Sequence, residues 1–201
     1  MATHIVINPD LLPSTTMERA FLDIAGEPAS DNVTYTVYVA GAQPKTAVVP
    51  MNAKNFATSP DLFGLSAKKT ALIVAATTDP GTPSVAVLRQ LQGLTCIALT
   101  VPSSNHMVGT AFNMPVSDLV GGGTLYVGNP SLANATATVQ YGGSASPVTD
   151  NVTIPSLSVT KVKITQAEAN LLFTVTNGVP LVVQAAIGSR FFVVLPIGPA
   201  V

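Results

Sequence analysis

The chain is a succession of apolar segments only four to eight residues long, each closed by Gly, Pro, Asn, Asp or Ser within a few residues of its end. In the first half these are HIVIN at 4–8, VTYTVYVA at 33–40, TAVV at 46–49, TALIVAAT at 70–77, SVAVLRQL at 84–91 and TCIALTV at 95–101. The second half repeats the style with TLYVG at 124–128, ATATVQY at 135–141, NVTI at 151–154, SVTKVKI at 158–164, LLFTVT at 171–176, LVVQAAI at 181–187 and FFVVLPI at 191–197. Val, Ile, Thr, Tyr and Phe suit a pleated, half-buried surface, and turn-forming residues at this spacing mark antiparallel strands. The expected class is therefore all-β, of the antiparallel β-sandwich or jelly-roll type. A spanning helix needs about 20 consecutive apolar residues, and no such run occurs.

Helix signals are few. Thr15 precedes Glu18 in capping-box spacing, with Met17, Phe21 and Ile24 following at helical intervals, which predicts one short amphipathic helix near 14–24. Thr165 and Glu168 repeat the box before Leu172, and Pro60 after Ser59 suits the first position of a single turn. The halves also resemble each other in order. INP at 7–9 parallels GNP at 128–130, VTYTVYVAG parallels ATATVQYGG, VVP at 48–50 parallels TIP at 153–155, TALIVAAT parallels LLFTVTN, and PSVAVLRQL parallels VPLVVQAAI. This predicts two related sandwich units, 1–102 with the helical insertion and 124–201, joined by a Gly- and Pro-rich linker at 103–123.

Charge narrows the function classes. Charged residues make up 9% of the chain, against roughly 25% in ordinary soluble proteins. Nine Lys and Arg against ten Asp and Glu leave a net charge of −1, and the first 31 residues set Asp10, Glu18, Asp23, Glu27 and Asp31 against Arg19 alone. Neither nucleic acid nor anionic lipid finds a basic footprint here, so no nucleic-acid or membrane partner is expected. MATHIVINP has no basic region followed by an apolar core, so no secretory signal is expected.

Catalytic chemistry is poorly supplied. Two histidines, His4 and His106, and one cysteine, Cys96, leave no HxH, HExxH or cysteine-pair motif, so no metal site and no cofactor are expected. Asp10, Asp31, Asp79 and Asp150 fit turn positions, although scattered carboxylates sometimes hold calcium. Ser103, Ser104, His106 and Asp118 lie close in sequence, but no GxSxG elbow accompanies them, and the expected protein is not an enzyme. Cys96 sits in an apolar run that suits a buried structural thiol. Gly121-Gly122-Gly123 has no following Lys and reads as a flexible turn. The Asn-x-Thr triplets at Asn32, Asn134 and Asn151 read as turn-to-strand junctions rather than glycan acceptors.

Between Gln90 and Thr160 only Asp118 and Asp150 are charged, so exposed strand positions must carry Thr, Ser, Asn, Gln, Ala or Gly. A surface without charge repulsion suits permanent association. In this composition, and in the start MATHIVINP, the chain resembles the head decoration or cement proteins of tailed-phage virions. The resemblance implies a non-enzymatic structural protein of the virion, made in the host cytoplasm. It would be a homo-oligomer, a trimer or larger, stapling major capsid protein subunits from outside the lattice. The second half alone, with GNP, ATATVQY, VTIP and VPLVVQ, is similar to the small sandwich of sensory rhodopsin transducer proteins, which bears on fold rather than activity. The expected assembly contacts are His4, Ile5, Ile7 and Pro9 with Glu18 and Asp23, and the apolar anchors Met107, Phe112 and Met114. Two further classes compete: a glycan-binding or adhesive sandwich module, which would need exposed aromatics, and a self-assembling coat protein. The apolar run at 191–197 is expected either to fill a strand or to dock on a neighbour.

Overall fold

A computed structural model of the chain describes residues 3–9, 19–26, 31–62, 70–77, 85–92, 95–101, 108–115, 123–141, 148–164, 170–187 and 190–197. The chain divides into two compact units, Met1–Asn105 and His106–Val201. Both are antiparallel β-sandwiches. The first contains β1 (Thr3–Asn8), β2 (Arg19–Ala25), β3 (Asn32–Tyr38), β4 (Lys45–Pro50), β5 (Phe56–Thr58), β6 (Ala71–Thr77), β7 (Val85–Gln92) and β8 (Thr95–Val101). The second contains β9 (Val108–Gly109), β10 (Ala111–Pro115), β11 (Gly123–Asn129), β12 (Ala135–Tyr141), β13 (Val148–Ile154), β14 (Ser158–Ile164), β15 (Asn170–Val175), β16 (Leu181–Ile187) and β17 (Arg190–Val194).

The two units share one topology. The first has sheets ordered β1-β6-β3-β4 and β5-β2-β7-β8, the second β10-β15-β12-β13 and β14-β11-β16-β17. Adding nine to each label of the first unit gives the second. The sequence parallels between VTYTVYV and ATATVQY, VVP and TIP, TALIVAAT and LLFTVTN, and PSVAVLRQL and VPLVVQAAI thus join β3 to β12, β4 to β13, β6 to β15 and β7 to β16. INP and GNP do not correspond: INP ends β1, whereas GNP ends β11, whose counterpart is β2.

Burial alternates along the strands as a two-sided sheet requires. In β3 Val33, Tyr35 and Val37 are buried while Thr34, Thr36 and Tyr38 are half-buried. In β12 Ala135, Ala137, Val139 and Tyr141 are buried while Thr136 and Gln140 are exposed. One cluster fills the second unit, including Phe112 and Phe173 from one sheet and Leu125, Val183 and Val194 from the other. In the first unit the Tyr35 hydroxyl crosses the sandwich to donate to the Ala57 carbonyl at 3.2 Å.

Period two also overrides the expected helices. Residues 19–25, within the helix expected near 14–24, form β2, and Ala20, Leu22 and Ile24 pair with Gln90, Leu88 and Ala86 of β7. The capping-box residues Thr15 and Glu18 lie outside the described residues. Likewise residues 170–172 of the second expected helical stretch belong to β15, where Leu171, Phe173 and Val175 alternate inward. Leu62 alone among the described residues is helical. Within the stretch read as a linker at 103–123, residues 108–115 are strands: β9 pairs with β16, the chain bends at Thr110, and β10 pairs with β15.

The apolar run at 191–197 adds β17 to the edge of β16 and then crosses to the other sheet. Pro196 bridges to Phe112, and the Ile197 N–H donates to the Ala111 carbonyl at 2.7 Å. Val194 is buried, whereas Leu195 and Ile197 stay 56% and 53% exposed.

Short β5 is extended by side chains. Beyond its last ladder pair the buried Ser59 both donates its N–H to the Leu22 carbonyl and accepts the Leu22 N–H on Oγ, each at 2.9 Å. Asp61 Oδ1 accepts the Ala20 N–H at 3.0 Å. Ser59→Ala would leave the Leu22 N–H without its acceptor in the interior, a loss of about 1–3 kcal/mol. Urea denaturation should show that loss as a lower midpoint with unchanged slope.

Candidate functional surface

The residues expected to make assembly contacts are mostly interior. His4, Ile5, Ile7 and Pro9 are all buried, at 0%, 8% and 0% exposure for the first three. β1 is hydrogen-bonded along its length to β6, with His4, Val6 and Asn8 on the inward side opposite Ala75, Ile73 and Ala71, and Ile5 and Ile7 are buried on the other side, opposite Val74 and Leu72. Phe112 and Met114 belong to the core of the second unit, because β10 is a paired strand rather than a free linker. Asp23 is 6% exposed, and its carboxylate takes a two-pronged contact from the Arg89 guanidinium, with Arg89 Nη2 donating at 2.9 Å. Arg89 also lies over the Phe21 ring, 5.4 Å from its centre. These side chains are therefore not available as surface contacts. Glu18 and Met107 lie outside the described residues, as do Ser103, Ser104, His106 and Asp118.

The buried polar groups act as cross-ties. Gln90 Nε2 of β7 donates to Asn8 Oδ1 at 2.8 Å and to the Pro9 carbonyl at 2.6 Å, joining the two sheets of the first unit. Burial, aided by the Asp23 charge, pushes the Tyr35 phenol above its ordinary range, so Tyr35 stays protonated and serves as a donor. Among the described residues no group of three or more His, Cys, Asp or Glu converges as a metal site would require. Asn129 likewise ties a corner: Nδ2 donates to the Ala133 and Ile154 carbonyls, and Oδ1 accepts the Ser131 N–H. The hydrogen bonds of these groups tie the chain to itself, while Gln90 Oε1 and both polar ends of the buried Gln184 have no hydrogen-bond partner among the described residues.

What the chain presents outward is a pair of uncharged sheet faces. On β10-β15-β12-β13 the register sets Thr136 beside Thr153, Thr138 between Thr174 and Asn151, and Gln140 between Leu172 and Thr149. Thr136, Gln140, Thr149, Asn151, Thr153, Leu172 and Asn113 are exposed. On β1-β6-β3-β4 the corresponding face carries half-buried Thr34, Thr36 and Tyr38 beside exposed Val48 and Thr46, with Thr36 and Thr46 hydroxyls 3.3 Å apart, while Ile5, Ile7 and Leu72 on its β1 and β6 side are buried. No charged side chain falls among the described residues of either face. Charge is displaced to the other sheets, as at Arg19, Asp23, Arg89, Lys161 and Lys163, and to the two outermost strands, where Lys45 and Asp150 stand alone.

Those outermost strands were not singled out by the sequence reading. The signal present was a single charge in an otherwise neutral β-run, KTAVVP in one case and VTDNVTI in the other. Only sheet order turns that signal into an edge. Both strands are solvent-exposed, with Val48 at 62% exposure in β4 and Thr149, Asp150, Asn151 and Thr153 exposed in β13.

Comparison of the chain with protein-family models, with curated proteins and with solved structures returns no significant match.

Proposed function

We propose that the chain is a non-enzymatic structural protein that decorates or cements the outside of a virion capsid lattice through oligomeric, largely uncharged contacts. The observation that carries this reading is the charge-free, exposed face of Thr, Asn and Gln on β10-β15-β12-β13, together with the charge-free β4 side of the corresponding sheet in the first unit. Side chains that both donate and accept hydrogen bonds, with no formal charge, meet a partner surface without desolvating an ion, whereas a lone soluble domain ordinarily spreads charge over such faces. The two competing classes fit less well. Tyr35, Tyr126 and Tyr141 are buried and Tyr38 is half-buried, so among the described residues no fully exposed aromatic ring offers a platform for stacking on sugar rings. A self-assembling coat needs shell formation by the chain alone.

The test is co-sedimentation of purified protein with preformed capsids lacking it, followed by particle stability against heat. Saturable binding that delays particle rupture is the expected result. Absence of binding, or closed shells formed by the chain alone, would overturn the decoration reading.

A further inference from the structure

From the exposed edge strands β4 and β13, which hold equivalent places in the two units, we infer that β4 of one copy pairs antiparallel with β13 of a second copy, joining chains through a continuous sheet. The inference rests on the assembly reading above and names the contact that reading needs.

The backbone supplies the first argument. In an antiparallel ladder a residue's N–H and C=O point to the same side, and successive residues alternate. The Met51 N–H donates to the Asp31 carbonyl at 2.9 Å, which makes that pair hydrogen-bonded. By alternation the pairs Asn32–Pro50, Thr34–Val48 and Thr36–Thr46 are the narrow ones. Thr46 and Val48 therefore direct their backbone groups away from β3, to the open side. Pro50, with no N–H, occupies a position where β3 asks for none. In the second unit Thr136 turns both backbone groups toward β15: its carbonyl accepts the Thr176 N–H at 2.7 Å, and its N–H donates to Asn177 Oδ1 at 3.2 Å. Thr149, Asn151 and Thr153, opposite Gln140, Thr138 and Thr136, then point their backbone groups outward from β13. Among the described residues each edge offers a row of donors and acceptors with no partner strand, and such rows seek a partner unless blocked.

Charge supplies the second argument. Lys45 is the one charged residue of β4 and Asp150 the one charged residue of β13, both are exposed, and Asp150 Oδ2 also accepts the hydroxyl of Tyr141 in its own unit at 2.8 Å. Lys45 pairs with inward-facing Val37 and Asp150 with inward-facing Val139, so they occupy the same side of their sheets. With Thr46 opposite Asn151 and Val48 opposite Thr149 of the second copy, Lys45 and Asp150 become diagonal neighbours on that side. On the outer side Thr46 and Val48 lie beside Asn151 and Thr149, with no charge among them. Pairing β4 with β4, or β13 with β13, would instead bring two copies together with no opposite charge on the strands. Because each chain has one β4 and one β13, the contact is head-to-tail and gives a ring or a reciprocal pair where the rotation closes, and an open filament where it does not.

The test is the native mass of the full chain by sedimentation over a dilution series, for four variants. Val48→Pro removes an N–H that the β3 ladder does not use, so its thermal unfolding should match the parent. Its association should weaken about threefold to tenfold, the loss of one backbone hydrogen bond. Lys45→Asp and Asp150→Lys should each weaken association several-fold, and the double variant should restore it. A parent oligomer indifferent to Val48→Pro, or a double variant no better than either single one, overturns the β4–β13 contact and leaves capsid decoration standing. A parent that is monomeric at every concentration overturns the contact and self-association together.

Discussion

Phe173→Ala should remove about 3–5 kcal/mol from the second unit, the cost of deleting a large aromatic side chain from a packed interior. Phe173 is fully buried in β15. Its neighbours across the sheet are Phe112 of β10 and Val139 of β12. The Phe112 and Phe173 rings meet edge to face, with centres 6.1 Å apart and planes inclined at 70°. An aromatic pair of that kind adds about 0.5–1.5 kcal/mol beyond the area it buries, and Phe112 would keep its place with one wall of its pocket gone. Domain stabilities are about 5–15 kcal/mol, so the loss takes a large share of what holds this sandwich. For a unit of this size it translates into a fall of roughly 15–30 °C in its melting temperature. The core that Phe173 serves draws its residues from Phe112 to Val194, so the first unit should keep its own transition. Differential scanning calorimetry of the variant should show one endotherm moved and one in place. Two endotherms shifted equally would mean that the units unfold as a single body.

The strands of both units were legible in the sequence wherever one face is wet. VTYTVYV and ATATVQY alternate because Thr, Tyr and Gln occupy the outward positions while Val, Ala and Tyr fill the interior, and that contrast is local. The segment from Arg19 to Ala25 misled for the opposite reason. Phe21 is only half-buried and Asp23 is buried in an ion pair, so neither marks a clear solvent face, and the spacing of Met17, Phe21 and Ile24 imitates a helix. What decides the matter is the pairing of Ala20, Leu22 and Ile24 with a strand some 65 residues later in the chain, a non-local term that no window contains. β10 was hidden differently: Phe112 and Met114 alternate with Asn113, but the Gly and Pro around them suggested a connector. The assembly contacts placed at His4, Ile5 and Ile7 relied on their position near the start of the chain, whereas β1 is buried on both sides, with His4 on the inward side and Ile5 and Ile7 on the other. The edges β4 and β13 depend on sheet order, which is a property of the whole topology. Their lone charges, Lys45 and Asp150, were visible as residues and invisible as a pair.

Gly109→Ala should destabilise the second unit by about 1–3 kcal/mol, the usual cost of forcing one more carbon into a filled interior. A Cβ on Gly109 would run into Cβ of Pro196 and lie 3.8 Å from Cζ of Phe112. Neither obstacle gives way easily. The Pro196 ring has no rotamer to turn aside, and its segment is fixed on both sides by the bridge to Phe112 and by the Ile197 N–H on the Ala111 carbonyl. Phe112 is held edge-on by Phe173. On the other side Gly109 is fixed by its pairing with Leu181 of β16. The added methyl must therefore push the 195–197 segment off β10, opening the seam where the last strand crosses from one sheet to the other. Removing the opposing carbon should undo the damage. Pro196→Gly alone gives up a little stability by loosening the unfolded chain, yet the double variant Gly109→Ala with Pro196→Gly should be more stable than Gly109→Ala by itself. That non-additivity identifies direct contact rather than two independent losses. Hydrogen exchange at the Ile197 amide provides the local readout: protection should fall in Gly109→Ala and return in the double variant. Equal stability of Gly109→Ala and the parent would show that Pro196 does not sit against β9, and that the seam is closed by some other part of the chain.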